Sequence, residues 1–297
     1  MSIALIIFPI FALILMGGAA RRWMEDAFWR GLERLIYFVF FPALLFHTLS
    51  HARMDLGAAS PMLLVGIAYT VLGMGLGYLG KFLFSDPPRV FAAAFQCSFR
   101  FNSYVGLAVA GALHGRQGIA AIGLLMGFLV PLANVAAVAV LARHGGGNWL
   151  RSLLGNPLIL ATAGGLAFSQ AGLSLPGVID DTLELLSRAS LPLGLIAVGA
   201  GMRVNELGHA RGHLWYGVVV KLLLLPAIAW GLGRAAGLQG LWFDTALLLA
   251  ALPHSTVAYL LAVRMGADGK ISANQITVTT LLAMFSLPFW LALARAG

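Results

Sequence analysis

The sequence predicts an all-α integral membrane protein: ten transmembrane helices in two inverted five-helix repeats, with the fourth and ninth helices broken where they cross at the midplane. Three observations lead there. Of 297 residues, 60% are hydrophobic and only 10% charged, and the mean hydropathy is +0.90. Basic residues crowd into alternate connections between the apolar runs. Three pairs of intramembrane prolines recur at a nearly constant offset.

A soluble domain of this length needs far more charge to cover its surface. Apolar runs long enough to cross roughly 30 Å of hydrocarbon as helix recur along the whole chain and leave no room for a water-soluble domain. The 36 glycines agree, because small residues let membrane helices approach closely. The single cysteine, Cys97, excludes a disulfide framework and any multi-cysteine metal cluster. A formal charge of +8 would suggest nucleic acid in a soluble protein. Here the cations sit singly in short connections, no Lys/Arg stripe with interleaved aromatics exists, and nucleic-acid binding is not expected.

Spans are expected near 2–20, 31–50, 59–84, 88–114, 118–142, 152–172, 178–202, 212–236, 241–265 and 270–294. Residues 2–20 lack a basic stretch before the apolar run, and Arg21 and Arg22 follow it, which reads as a retained first span rather than a signal peptide. Turn signals separate the later spans: Asp-Pro-Pro at 86–88, Gly-Gly-Gly-Asn at 145–148, Ser-Leu-Pro-Gly at 174–177 and Gly-Ala-Asp-Gly at 266–269. Connections after odd-numbered spans hold Arg21, Arg22, Arg30, Arg34, Lys81, Arg89, Arg143, Arg151, Arg203, Arg211, Arg264 and Lys270. Those after even-numbered spans, with the C-terminal tail, hold only Arg53, Arg116, Arg234 and Arg295. The odd side is therefore cytoplasmic, and both termini are expected outside.

Pro9 and Pro157, Pro42 and Pro192, and Pro131 and Pro288 are separated by 148, 150 and 157 residues. Leu32-Glu33 leading to Pro42 echoes Leu183-Glu184 leading to Pro192. Two repeats follow, residues 1–142 and 152–297, joined by a cytoplasmic linker at 143–151. Five spans per repeat force opposite insertion, the plan of many secondary transporters.

In such carriers the site lies where corresponding helices are broken. The fourth span is polar in its middle, with Gln96, Ser98, Arg100, Asn102, Ser103 and Tyr104 between apolar flanks. The ninth carries Pro253 followed by His254, Ser255 and Thr256. Half-helices beginning there would present free N–H groups and partial positive charge to an anion, and Arg100 would add a bidentate fork for a carboxylate. Arg100 is thus a substrate-binding candidate; a bond to a carboxylate or to backbone carbonyls that only shapes the break is the structural alternative. Lys221 and Arg188 also lie inside apolar spans; they either pair with Glu184, Asp180 or Asp181 or snorkel, or they serve in coupling, for which Lys221 is a candidate. His254 offers a coupling proton or merely a hydrogen bond. Asn134, Gln96, Gln275 and Asn274 line a cavity or join helices, and His47 is expected at the interface. His-Glu-x-x-His, Gly-x-Ser-x-Gly and Walker-type motifs are absent, so no enzyme, no ATP-driven pump and no metal is expected.

At these residues the chain resembles the auxin efflux carrier family, specifically its bacterial members, over nearly its whole length. The resemblance rests on Phe-Phe-Pro-Ala-Leu-Leu-Phe at 40–46, Arg-Phe-Asn-Ser-Tyr-Val-Gly-Leu-Ala at 100–108 and Asn-Pro-Leu-Ile at 156–159. It continues through Leu-Pro-Leu-Gly-Leu at 191–195, Lys-Leu-Leu-Leu-Leu-Pro at 221–226 and Pro-His-Ser-Thr-Val-Ala-Tyr-Leu-Leu-Ala at 253–262. It implies an X-shaped crossing inside a transport domain of helices 3–5 and 8–10, moving against a scaffold of helices 1, 2, 6 and 7 that often forms a homodimer. It also implies a small organic anion as substrate, auxin in plants and dicarboxylates in bacteria, carried across the bacterial inner membrane with no cofactor beyond a coupling H+ or Na+. Asn102 falls on the family's asparagine at the first break and Pro253 on the proline at the second. Two departures stand out: Ala108-Val109 where many members have proline, and Val257 in place of a common asparagine. A cation or proton exchanger on the same fold is the alternative, although no acidic residue lies in either break. The drug/metabolite transporters, a membrane enzyme and a sensor are more distant alternatives, the last two lacking convergent catalytic groups or an output domain.

Overall fold

The computed structural model describes residues 3–52, 56–141, 157–202 and 210–296. Among them every regular element is helical: α1 (Ile3–Ala20), α2 (Asp26–Ser50), α3 (Leu56–Leu83), α4 (Pro88–Cys97), α5 (Ser103–Leu141), α6 (Pro157–Gln170), α7 (Gly177–Gly201), α8 (Arg211–Ala235), α9 (Gly240–Ala251), α10 (Thr256–Arg264) and α11 (Gly269–Ala296). Six of these are long and apolar enough to cross a membrane. A seventh such unit is the pair α9 and α10, bent by 43° at their break.

α5 is not one rod. Gly115 (φ 57°, ψ −141°) takes a backbone conformation that costs glycine little, and the chain turns back there. A Cβ on Gly106 would touch Ile122 and Met126, and one on Gly118 would overlap the Ala110 carbonyl. In a straight helix residues 106 and 126 would stand about 30 Å apart. The legs 103–114 and 116–141 therefore form an antiparallel hairpin, with its bend in the connection expected between 114 and 118.

Two segments are widened into π-helical turns, Ile36–Phe40 and Val220–Leu224, each ending two residues before a proline, Pro42 and Pro226. Proline offers no N–H and its ring displaces the carbonyl four residues back, so the ladder must widen. The carbonyl released by Pro226 belongs to Leu222, and the Trp290 indole N–H donates to it at 2.9 Å.

The helices pack in two groups. α1 lies along α7, and the second half of α2 lies against α6 and α7. A Cβ on Gly17 would overlap the Ile196 carbonyl, and one on Gly199 the Ile14 carbonyl, so glycine alone permits that approach of α1 to α7. The second group centres on α9, which packs against α3, α5, α8 and α11, while α4 packs on α3, α5 and α11. The groups meet where α1 touches α11 and α2 touches α5.

Arg30 and Arg34 do not sit in a connection: α2 starts at Asp26 and carries both in its first turns. Arg53, Arg143, Arg151, Arg203, Asn156, the glycine run at 145–148 and the linker at 143–151 lie outside the described residues. The described part of α6 begins at Pro157, whereas its proposed counterpart Pro9 stands inside α1.

Candidate functional site

The α4–α5 break covers residues 98–102 and the α9–α10 break residues 252–255. They are bonded to each other. The Asn102 N–H donates to the Pro253 carbonyl at 2.9 Å, and Gln96 Nε2 reaches the Ala258 carbonyl at 2.9 Å. The first of these bonds gives a partner to the Pro253 carbonyl, which lies outside any helix, and that is how irregular backbone survives away from water. The His254 N–H is held by Thr279 Oγ1 at 3.2 Å.

Asn102 caps the first leg of α5. Its Oδ1 accepts the N–H groups of Tyr104 and Val105 at 3.1 and 3.3 Å, the geometry of an asparagine N-cap. Two of the amide donors expected to be free for a ligand are thus spent within the chain. Asn102 Nδ2 is buried without a hydrogen-bond partner among the described residues. Ser255, at the start of α10, makes no capping bond with its side chain.

Arg100 is only 7% exposed. One guanidinium nitrogen, Nη2, donates to Asn134 Oδ1 at 2.8 Å; the other, Nη1, is buried with no hydrogen bond among the described residues. It lines a cavity of about 70 Å³ with Tyr37, Ser103, Asn134, Ser255 and Val257. A smaller pocket of about 30 Å³ adjoins it, sharing Tyr37, Ser103, Ser255 and Val257 and adding Asn102, Tyr104 and Thr256. A single water needs roughly 10–15 Å³ on this measure, so the larger cavity takes several waters or one small carboxylate. Among the described residues no carboxylate lines either space or pairs with Arg100.

A third cavity, of about 180 Å³, opens beside Thr256 toward the start of α2, between Arg21, Asp26, Arg30 and Glu33 on one side and Tyr259 and Ile276 on the other. Arg21 there donates to the Met202 carbonyl at 2.9 Å and faces Asp26 at 3.5 Å.

Arg100, Asn102, Ser103, Tyr104, Asn134, Ser255 and Thr256 therefore gather around two adjoining spaces. Pro253, His254 and Gln96 do not line them. His254 is fully buried behind the break, and neither ring nitrogen has a hydrogen-bond partner among the described residues. Gln275 points away and donates to the His213 carbonyl at 3.0 Å. Lys221 joins none of the carboxylates expected for it. Its ammonium donates to the Ala250 carbonyl at 3.1 Å, in the last turn of α9, where a cation suits the helix dipole. Arg188 does pair with Glu184, at 2.9 Å, but on an exposed face. His47 sits in the last turn of α2, 6% exposed, with its Nε2 3.1 Å from Asp180 Oδ1.

Sequence reasoning missed Tyr37 and Leu158, which face Arg100 and Ser255 from α2 and α6. Neither interrupts an apolar pattern, and only tertiary packing brings them there.

Comparison with known proteins agrees with the helical, apolar architecture. Residues 146–291 match the family described as membrane transport protein. The chain is 24% identical over 308 residues to a Rhizobium meliloti protein named "putative malonate transporter", covering 98% of this chain and 96% of that one. It is 24% identical over 273 residues to an uncharacterized transporter of Methanothermobacter thermautotrophicus, covering 90% of this chain and 88% of that one. Over 140 residues, 45% of this chain and 23% of the relative, it is 24% identical to auxin efflux carrier component 3a of rice.

Proposed function

We propose that the chain, which belongs to the membrane transport protein family that includes the auxin efflux carriers, is a secondary carrier moving a small mono- or dicarboxylate across the bacterial inner membrane. That it is a multi-pass membrane transporter follows from family and composition; substrate and mechanism are the proposal.

One observation carries the reading. Arg100 is buried beside two mutually bonded helix breaks, with half of its fork unbonded and no carboxylate among the described residues to neutralise it. An unpaired buried guanidinium is costly, and an anionic substrate supplies the missing charge. Ser103, Tyr104, Ser255 and Thr256 then orient the carboxylate oxygens, Asn102 offers Nδ2, and Asn134 holds the guanidinium in place. The α10 N-terminus, which Ser255 leaves without a side-chain cap, adds its dipole.

In this reading the two legs of α5 count separately. α4 with the first leg, and α9 with α10, are the broken fourth and ninth of ten spans in two inverted repeats, 1–142 and 152–297. α1, α2, α6 and α7 make the scaffold and the remaining helices the transport domain; the two packing groups support that division. The cavities lie between these groups, so sliding one past the other would expose Arg100 to each side in turn. The cavity near Arg21 and Arg30 serves as a cytoplasmic vestibule whose cations draw anions in. The relative named for malonate favours a dicarboxylate. A homodimer through the scaffold, termini on the outer side and coupling to H+ or Na+ belong to the same reading.

A thermal-shift series on purified protein tests it: malonate, malate and acetate, each with and without sodium and across pH. Binding to the folded state alone raises the melting temperature. The proposal expects a shift with at least one carboxylate and none with matched cations; no shift with any carboxylate would overturn it.

A further inference from the structure

Away from these breaks, the end of α2 and the start of α7 bring together two imidazoles and a carboxylate. His47 and His51 stand one helical turn apart, and both Nε2 atoms converge on Asp180 Oδ1, at 3.1 and 3.4 Å. We infer that His47, His51 and Asp180 form a binding site for a divalent transition-metal ion, with zinc the best match.

The spacing fits. Zinc bonds imidazole nitrogen at about 2.0–2.1 Å and carboxylate oxygen at about 2.0–2.2 Å, so neighbouring ligand atoms of a tetrahedral site lie roughly 3.3–3.5 Å apart. The nitrogen–oxygen separations of 3.1 and 3.4 Å need only small side-chain shifts to meet that, and all three ligand atoms lie within 4.8 Å of one another. Three protein ligands leave the fourth position to water.

Proton bookkeeping points the same way. His51 Nδ1 lies 2.8 Å from the His47 carbonyl oxygen, which can only accept, so Nδ1 carries the proton. Such a second-shell bond fixes the tautomer of metal-bound histidines. A neutral His51 then aims the Nε2 lone pair at a carboxylate oxygen, one acceptor facing another. A cation must lie between them, either a metal ion or a second proton on the ring. The surrounding charges do not oppose a dication: Arg116 and Arg188 are both engaged by Glu184, at 3.6 and 2.9 Å. His47 is buried while His51 and Asp180 are partly open, which gives the ion both a floor and a route in. Imidazole with one carboxylate selects zinc and its first-row neighbours over magnesium or calcium. Bound there, the ion staples α2 to α7.

Zinc titration of the purified full-length protein, carrying a tag without histidine, tests the site by calorimetry. One ion per chain is expected. His51→Ala and Asp180→Asn should each weaken it at least ~10-fold, the lower end of what even outer-sphere partners are worth. His114→Gln should leave it unchanged. Equal zinc affinity in wild type and both variants, or no zinc bound at all, would overturn the inference and leave a protonated His51 as the bridging cation. Should the variants fail to fold, cobalt added to wild-type protein decides: tetrahedral d–d absorption in the visible supports the site, and its absence refutes it.

Discussion

Replacing Arg100 by methionine separates a ligand-binding arginine from a structural one. In the folded chain the guanidinium has one charged hydrogen bond, to Asn134 at 2.8 Å, and one buried nitrogen without a partner. Losing the bond costs about 1.5–3 kcal/mol, while removing the unpartnered nitrogen relieves about 1–3 kcal/mol. Methionine fills much of the stem's volume, so the two changes largely offset each other and stability should move by no more than ~2 kcal/mol in either direction. Binding has no such offset. A carboxylate that loses its charged hydrogen bond loses about 1.5–3 kcal/mol, which is roughly 10–150-fold in affinity. Melting curves of wild type and Arg100→Met, with and without a titrated carboxylate, read both quantities at once. A variant that melts far below wild type but binds within threefold of it would refute the reasoning and make Arg100 a structural strut.

Asn102→Ala removes the cap of the first α5 leg and should lower stability by ~1 kcal/mol, the usual worth of an N-cap, read as a drop in melting temperature; an unchanged melt would mean that the two Asn102 bonds contribute nothing. Gly199→Ala forces a Cβ into the Ile14 carbonyl and should destabilise by ~1–3 kcal/mol, whereas Gly231→Ala, with nothing within 4 Å, should be neutral or mildly stabilising. Equal melting of the two alanine variants would deny the close approach of α1 to α7.

Much of this molecule is legible in its sequence because a membrane leaves few options. Where Gln96 to Tyr104 and His254 to Thr256 interrupt apolar runs, the chain does break, since polar groups in hydrocarbon must gather among themselves. The turn expected between 114 and 118 is present, and Gly115 makes it. Partners were less legible than positions. Lys221 could be placed inside a span, but its bond to the Ala250 carbonyl depends on the Val220–Leu224 π-turn bringing α8 against the end of α9. The same limit hid Tyr37 and Leu158 from the site and His47 from Asp180. Periodicity shows which face of a helix is apolar, not which neighbour it meets. Asn102 stands in the break where its polarity among apolar neighbours puts it, but its oxygen caps a helix, which leaves only Nδ2 for a ligand. Arg30 and Arg34 fall within α2 rather than in a connection because a helix can extend beyond its apolar run, as α2 does from Asp26.

The central claim, that a carboxylate crosses the membrane by way of Arg100, is tested most directly by uptake into proteoliposomes. Vesicles carrying wild-type protein should take up labelled malonate, or another small carboxylate from the same series, with saturable kinetics, and vesicles carrying folded Arg100→Ala should match protein-free controls. Uptake by the variant at the wild-type rate would contradict the site, and absence of any carboxylate uptake by the wild type would contradict the function.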